Sequence, residues 1–144
     1  MIHHAWSVLC SLSSLDKETN NLSLFNVLEQ FNIAGPREDE RGLLPIACEI
    51  DSLWVRLEGK PARGFTRTVV VGPSGETHPT KEMMVDLAGD VDRFRTRLRM
   101  VGLPFLGYGV YWMDVEFRPD GSDKWDRVAR VPLQVSSIGG DAEK

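Results

Sequence analysis

Four arginines alternate in the stretch RFRTRLRM: Arg93, Arg95, Arg97 and Arg99. In a β-strand this spacing sets all four guanidinium groups on one face and turns Phe94, Leu98 and Met100 to the other. A guanidinium presents a planar fork of donors that matches carboxylate and phosphate, so such a ladder, if free, binds anions or acidic peptide. Internal neutralisation is the expected state. If the strand forms a hairpin with 108–117 and residue 101 stands opposite 108, Arg93 faces Glu116, Arg95 faces Asp114 and Arg97 faces Trp112. A second hairpin that sets Phe117 opposite Trp125 brings Arg130 beside Trp112. Two cations then cover one indole, each contact contributing about 0.5–1 kcal/mol at an exposed site. If the two strands lie in opposite sheets instead, the ladder loses those carboxylates, and Asp86 becomes its main compensation. The candidate interaction patch is therefore Arg93, Arg95, Arg97, Arg99, Trp112 and Arg130, and topology decides whether its charge is free.

The remaining reactive residues do not assemble into a motif. Asp16, Glu18 and Asn20 occupy positions one, three and five of a would-be calcium loop, but Asn21 stands where that loop needs Gly and Val27 where it needs Glu. DKETNN reads instead as a turn whose Asp, Thr and Asn side chains bond the backbone. His3 and His4 are adjacent and so point to opposite faces of a strand, and His78 has no spaced partner. Cys10 and Cys48 lie in no zinc-ligand spacing and sit among apolar residues, which predicts buried core thiols. There is no Gly-x-Ser-x-Gly elbow and no glycine-rich phosphate loop, and Ser74 in VGPSGE stands in a hairpin turn. No metal, cofactor or catalytic residue is predicted. An enzyme whose site is brought together from distant loops stays open as an alternative, because geometry and not chain order defines such a site.

The elements that position these residues read as strands. Apolar runs recur at short intervals between turn-forming clusters, the spacing of an all-β sandwich or barrel. Strands are predicted at about 4–11, 22–33, 46–57, 65–72, 82–88, 94–101, 108–117 and 127–135. Gly35-Pro36, Pro73-Ser74-Gly75 and Pro119-Asp120-Gly121 punctuate them. In YGVYWMDVEF, Tyr111, Met113, Val115 and Phe117 share one face; in VARVPLQV, Ala129, Val131, Leu133 and Val135 do the same. Pro132 lacks a ladder donor, so its strand is an edge or turns that position outward. LSLFNVLEQF fits a helix as well as a strand, and so does DVDRFRTRLRMVGLP, where Val91, Phe94, Leu98 and Val101 suit a helix ending at Gly102; an all-β chain decides for strand in both, with Phe25, Val27 and Phe31 inward. Glu29 must then escape through a bulge, an edge or a partner.

A length of 144 residues with 42% hydrophobic content predicts one domain over 1–136 and a flexible tail over 137–144. A net charge of −4 and a pI near 5.4 give no global attraction to nucleic acid or an anionic membrane, so neither is an expected partner. No apolar run reaches the length of a signal peptide's core or a membrane span, which predicts a cytoplasmic protein with reduced thiols.

Gly109-x-Tyr111 at the entry to its strand, followed by ARVPLQV, resembles the penultimate and last strands of immunoglobulin-like sandwiches, where that tyrosine makes the corner of the fold. Through HAWSVLC, TNNLSLFNVLEQ, LPIACEIDSLWVR, FTRTVVVGPSGE and the closing hairpin, the chain is also similar to a family of uncharacterised bacterial small β-sandwich proteins. The resemblance implies an immunoglobulin-like β-sandwich of about seven or eight antiparallel strands and carries over no activity. The function read from the sequence is a non-enzymatic protein-interaction or assembly module that binds a protein or its own copy through an edge strand. An anion- or nucleic-acid-binding module on the arginine strand is the alternative.

Overall fold

The computed structural model describes residues 1–138. The chain is all-β: twelve strands and, among the described residues, no helix. They are β1 (Ile2–Leu15), β2 (Leu22–Val27), β3 (Gln30–Ile33), β4 (Gly42–Leu44), β5 (Cys48–Arg56), β6 (Ala62–Val71), β7 (Thr77–Pro79), β8 (Met83–Leu87), β9 (Arg93–Met100), β10 (Leu103–Phe105), β11 (Gly109–Pro119) and β12 (Asp126–Ser137). One sheet runs β2-β1-β5-β9 and the other β3-β12-β11-β6, with β7 and β8 sharing the far edge of β6. A small third sheet joins β10 to β4. The predicted strands are present except that 22–33 is divided into β2 and β3; β4, β7 and β10 are additional short ones, and β3 runs parallel to β12.

The two larger sheets pack face to face because period-two alternation turns one apolar row of each toward the other. Leu9, Ile50, Trp54, Leu98 and Met100 come from the first sheet, and Val70, Tyr111, Met113, Val115, Leu133 and Val135 from the second. Trp54 bridges the layers: its ring lies 5.3 Å from Phe117, and its indole N–H donates to the Thr96 hydroxyl at 3.0 Å. The Tyr111 hydroxyl closes the entry to β11 by accepting from the Leu106 amide and donating to the Gly107 carbonyl, both at 2.6 Å.

The ambiguous 22–33 segment is extended, but it is two strands in two sheets. β2 pairs with β1, and the chain then crosses at Leu28-Glu29 to pair β3 with β12. Asn26, inside β2, holds a φ of 56° and donates through its side-chain amide to the Ser11 hydroxyl at 2.8 Å. Phe25 and Val27 face outward, at 46% and 55% exposure, contrary to the single inward face predicted for them. Leu28 is buried in their place, and Phe31 packs on the core as predicted. Glu29 escapes at the crossing, exposed, while its carbonyl accepts from the Gln134 amide at 3.0 Å. That bond shows the Gln134 N–H pointing away from β11. By the same parity the nitrogen of Pro132 points away too, to the side where β3 does not reach.

Pro119-Asp120-Gly121 turns the chain between β11 and β12, with Gly121 at a φ of 87° and the Ser122 amide bonded to the Pro119 carbonyl. At the C-terminus Ser137 still pairs with Ile33. The rest of the tail predicted over 137–144 lies outside the described residues from 139 onward.

Candidate functional site

β9 presents its arginines outward, as the alternation predicts, but its neighbour is β5 and not the 108–117 strand. Arg93 stands opposite Val55, Arg95 opposite Leu53, Arg97 opposite Asp51 and Arg99 opposite Glu49. The predicted pairs of Arg93 with Glu116, Arg95 with Asp114 and Arg97 with Trp112 are therefore absent, because β9 and β11 belong to different sheets. Asp86 does not compensate the ladder either; its nearest cation is Arg63, at 3.9 Å.

The compensation comes from β5 and from a piece of chain laid over it. Beyond Cys10, β1 leaves β5 and continues as a hairpin with β2. Ser13 and Asn20 in this hairpin reach the arginines of β9, two strands away, so the hairpin folds back across the outside of β5. Arg97 donates through Nε to the Ser13 hydroxyl at 2.8 Å and through Nη2 to the Ser13 carbonyl at 3.1 Å. Arg95 donates to the Asn20 carbonyl, and the Ser13 hydroxyl donates to Glu49. Arg99 lies 3.2 Å from Glu49. Under this cover Glu49 and Asp51 are 1% and 0% exposed although they point away from the core.

The turn at the hairpin's tip forms as its residue types predict. Asp16 Oδ1 accepts from the Glu18 amide at 2.9 Å and its carbonyl from the Asn20 amide at 2.8 Å, while Asn20 takes a φ of 60°. The Glu18 amide holds the Asp16 carboxyl below its ordinary value.

Cys10, Glu49 and Asp51 bring a thiol and two carboxylates within 4.8 Å of one another, a spacing a metal ion can bridge. The charge balance argues for internal neutralisation instead. Arg97 and Arg99 already supply two positive charges, and the Cys10 thiol is pushed up to about 11 by burial and by the Asp51 charge. Burial, aided by the charge of Glu49, raises Asp51 to about 6. Asp51 Oδ1 has no hydrogen-bond partner, and this uncompensated burial works in the direction of the raised value.

Trp112 and Arg130 are on the opposite side of the sandwich, on the outer face of the β12-β11-β6 sheet. Arg130 lies 5.0 Å from the Trp112 ring, the one predicted arginine contact with that indole that forms. It also grips Asp114 through two bonds of 2.7 and 2.9 Å, and that carboxylate raises the arginine's pKa. The register sets Asp114, not Trp112, opposite Arg130, and Phe117 opposite Asp126, not Trp125. Arg67 and Arg118 cover Trp125 on the same face, at 4.3 and 5.2 Å, and Arg67 bonds Glu116 at 2.8 Å. The six predicted patch residues thus form two separate groups. The ladder's partners Ser13, Asn20, Glu49 and Asp51 were not predicted; the available signal was Glu49-x-Asp51, two carboxylates at strand spacing in an otherwise apolar run.

The chain matches no protein-family model, and no curated protein matches it. Among the described residues no helix is long and apolar enough to cross a membrane.

Proposed function

We propose that the protein is a non-enzymatic binding module that works through the folded-back hairpin, with β2 pairing in the first instance with β2 of a second copy. The observation that carries this reading is the character of the two edges of the β2-β1-β5-β9 sheet. β9 is guarded by four arginines, a common device against edge pairing, whereas β2 (LSLFNV) has neither charge nor proline and pairs with β1 alone. Its side chains strengthen the case: Phe25 and Val27 stand half-exposed beside Leu12, which faces Phe25 across the pair and is 46% exposed. An incoming strand would gain main-chain hydrogen bonds along β2 and an apolar surface beside them.

An immunoglobulin-like assignment is part of the same proposal. It is supported by the order β12-β11-β6 facing β5-β9, which corresponds to strands G, F, C and B, E, and by the hydroxyl bonds of Tyr111 near the start of the F-like strand. Two unpaired cysteines are in keeping with the reducing cytoplasm that we propose as its location.

Sedimentation velocity over a concentration series tests the reading, with Phe25→Lys beside the wild type. Reversible dimerisation that the substitution weakens at least tenfold is the expected result. A wild type that stays monomeric at every concentration, or a variant that dimerises equally well, overturns it.

A further inference from the structure

The folded-back hairpin encloses space as well as charge. Between its turn and the start of β9 lies a cavity of about 320 Å³ lined by Asn20, Leu53, Asp92, Arg93 and Arg95, near the lower end of small-molecule sites. Four of the five lining residues are polar or charged, so an apolar ligand has little to bind there.

The ion pairs around this cavity do not balance. Asp92 is its one acidic lining residue, and that carboxylate already accepts from the buried Arg56 guanidinium at 3.0 Å. Arg95 donates to the Asn20 carbonyl, a neutral partner that leaves its charge uncancelled. Arg93 has no ion-pair partner among the described residues. Further along the same strand, Arg99 is by contrast paired with Glu49, and Arg97, bonded to Ser13, stands opposite the Asp51 carboxyl, where its charge acts to lower that group's pKa against the larger effect of burial. Two guanidinium groups at spacing i, i+2 therefore converge on one polar cavity with their charge unspent, and five donors on each leave several N–H groups for a ligand even while Arg95 holds Asn20.

We propose that this cavity binds a small phosphate monoester, its dianionic phosphoryl group held between Arg93 and Arg95 and its remaining part against Asn20 and Leu53. A dianion supplies the charge the site lacks, and a phosphoryl oxygen set matches two planar forks. Long polyanions are disfavoured, because the overall charge of −4 repels them while only two arginines attract. Since Arg95 also tethers the hairpin, a bound phosphoryl group ties the hairpin turn more firmly to β9. This inference is independent of pairing at β2.

The test follows backbone amides and arginine side-chain N–H groups by NMR in the full chain. It is titrated at fixed ionic strength with inorganic phosphate, with glucose 6-phosphate and with glucose. Saturable shifts at residues 20 and 92–95 with glucose 6-phosphate, and none with glucose, are expected. Arg93→Gln, at an exposed position, should weaken binding tenfold or more, as loss of a charged hydrogen-bond partner does, while the remote Arg63→Gln leaves it unchanged. Equal affinity for inorganic phosphate supports the phosphoryl site and reassigns its ligand to the free ion. No saturable shift with either phosphate, or undiminished binding by Arg93→Gln, overturns the proposal.

Discussion

Arg97 and Ser13 sit on strands separated by β5, yet two hydrogen bonds of 2.8 and 3.1 Å join them. They can meet only because the β1-β2 hairpin lies across the sheet, so this pair is a clasp between a hairpin and the strand beneath it. In a double-mutant cycle with Arg97→Gln and Ser13→Ala, urea denaturation should give a coupling of about 1 kcal/mol or more, since charged hydrogen bonds are the stronger class. Additive effects would show that the bond to the Ser13 hydroxyl contributes nothing, the bond to its backbone carbonyl being untouched by Ser13→Ala.

Asp51 makes stability depend on pH in a particular direction. Its folded-state pKa, about 6, is raised above the roughly 3.9 of an unfolded chain, so the native state holds its proton longer. The resulting stabilisation is fully present below the unfolded value and is lost as pH rises through the folded one. Thermal unfolding between pH 4 and 7 should therefore show a decline that Asp51→Asn removes. An unaltered profile in the variant would assign the decline to other groups.

Both thiols should be inert in the native protein. Burial, first among the causes in each case, pushes Cys10 and Cys48 up to about 11, and neither side chain meets solvent. Alkylation at neutral pH should proceed only as fast as the chain opens and should accelerate in denaturant. Fast labelling of Cys10 alone would mean that the hairpin lifts from β5 without global unfolding.

Tyr111→Phe removes one acceptor and one donor that serve the buried corner at Leu106 and Gly107. The Leu106 amide then loses its partner, and a loss of about 1–3 kcal/mol in urea denaturation is expected, with the strand content by circular dichroism unchanged.

The strands were legible in the sequence because alternation and turn chemistry are local. Tyr111, Met113 and Val115 turn inward as their spacing predicts, and the closing hairpin turns at Pro119-Asp120-Gly121. Alternation also placed the four arginines on one outer face. It could not name the strand beside them, because that follows from how the whole sheet closes; Glu49 and Asp51 lie more than forty residues before the arginines they neutralise. The hairpin's fold across β5 was hidden for the same reason. Phe25 and Val27 lie outward because 22–33 is not one strand: β2 stays with β1 as far as Val27, and the chain passes to the other sheet at Leu28-Glu29, a break that local alternation does not mark. Cys10 and Cys48 are both buried, as predicted, but only Cys48 lies in the apolar core cluster; Cys10 is buried beside Glu49 and Asp51 under the hairpin, a setting its sequence neighbours do not reveal.

Amide hydrogen exchange along β2, followed as a function of protein concentration, tests directly whether this strand pairs with a second copy. If residues 22–27 form the interface, their protection should rise with concentration in step with dimer formation, while the outer edge of β9 stays unchanged. Dimer formation with β2 as exchangeable as in the monomer would mean that β2 is not the interface.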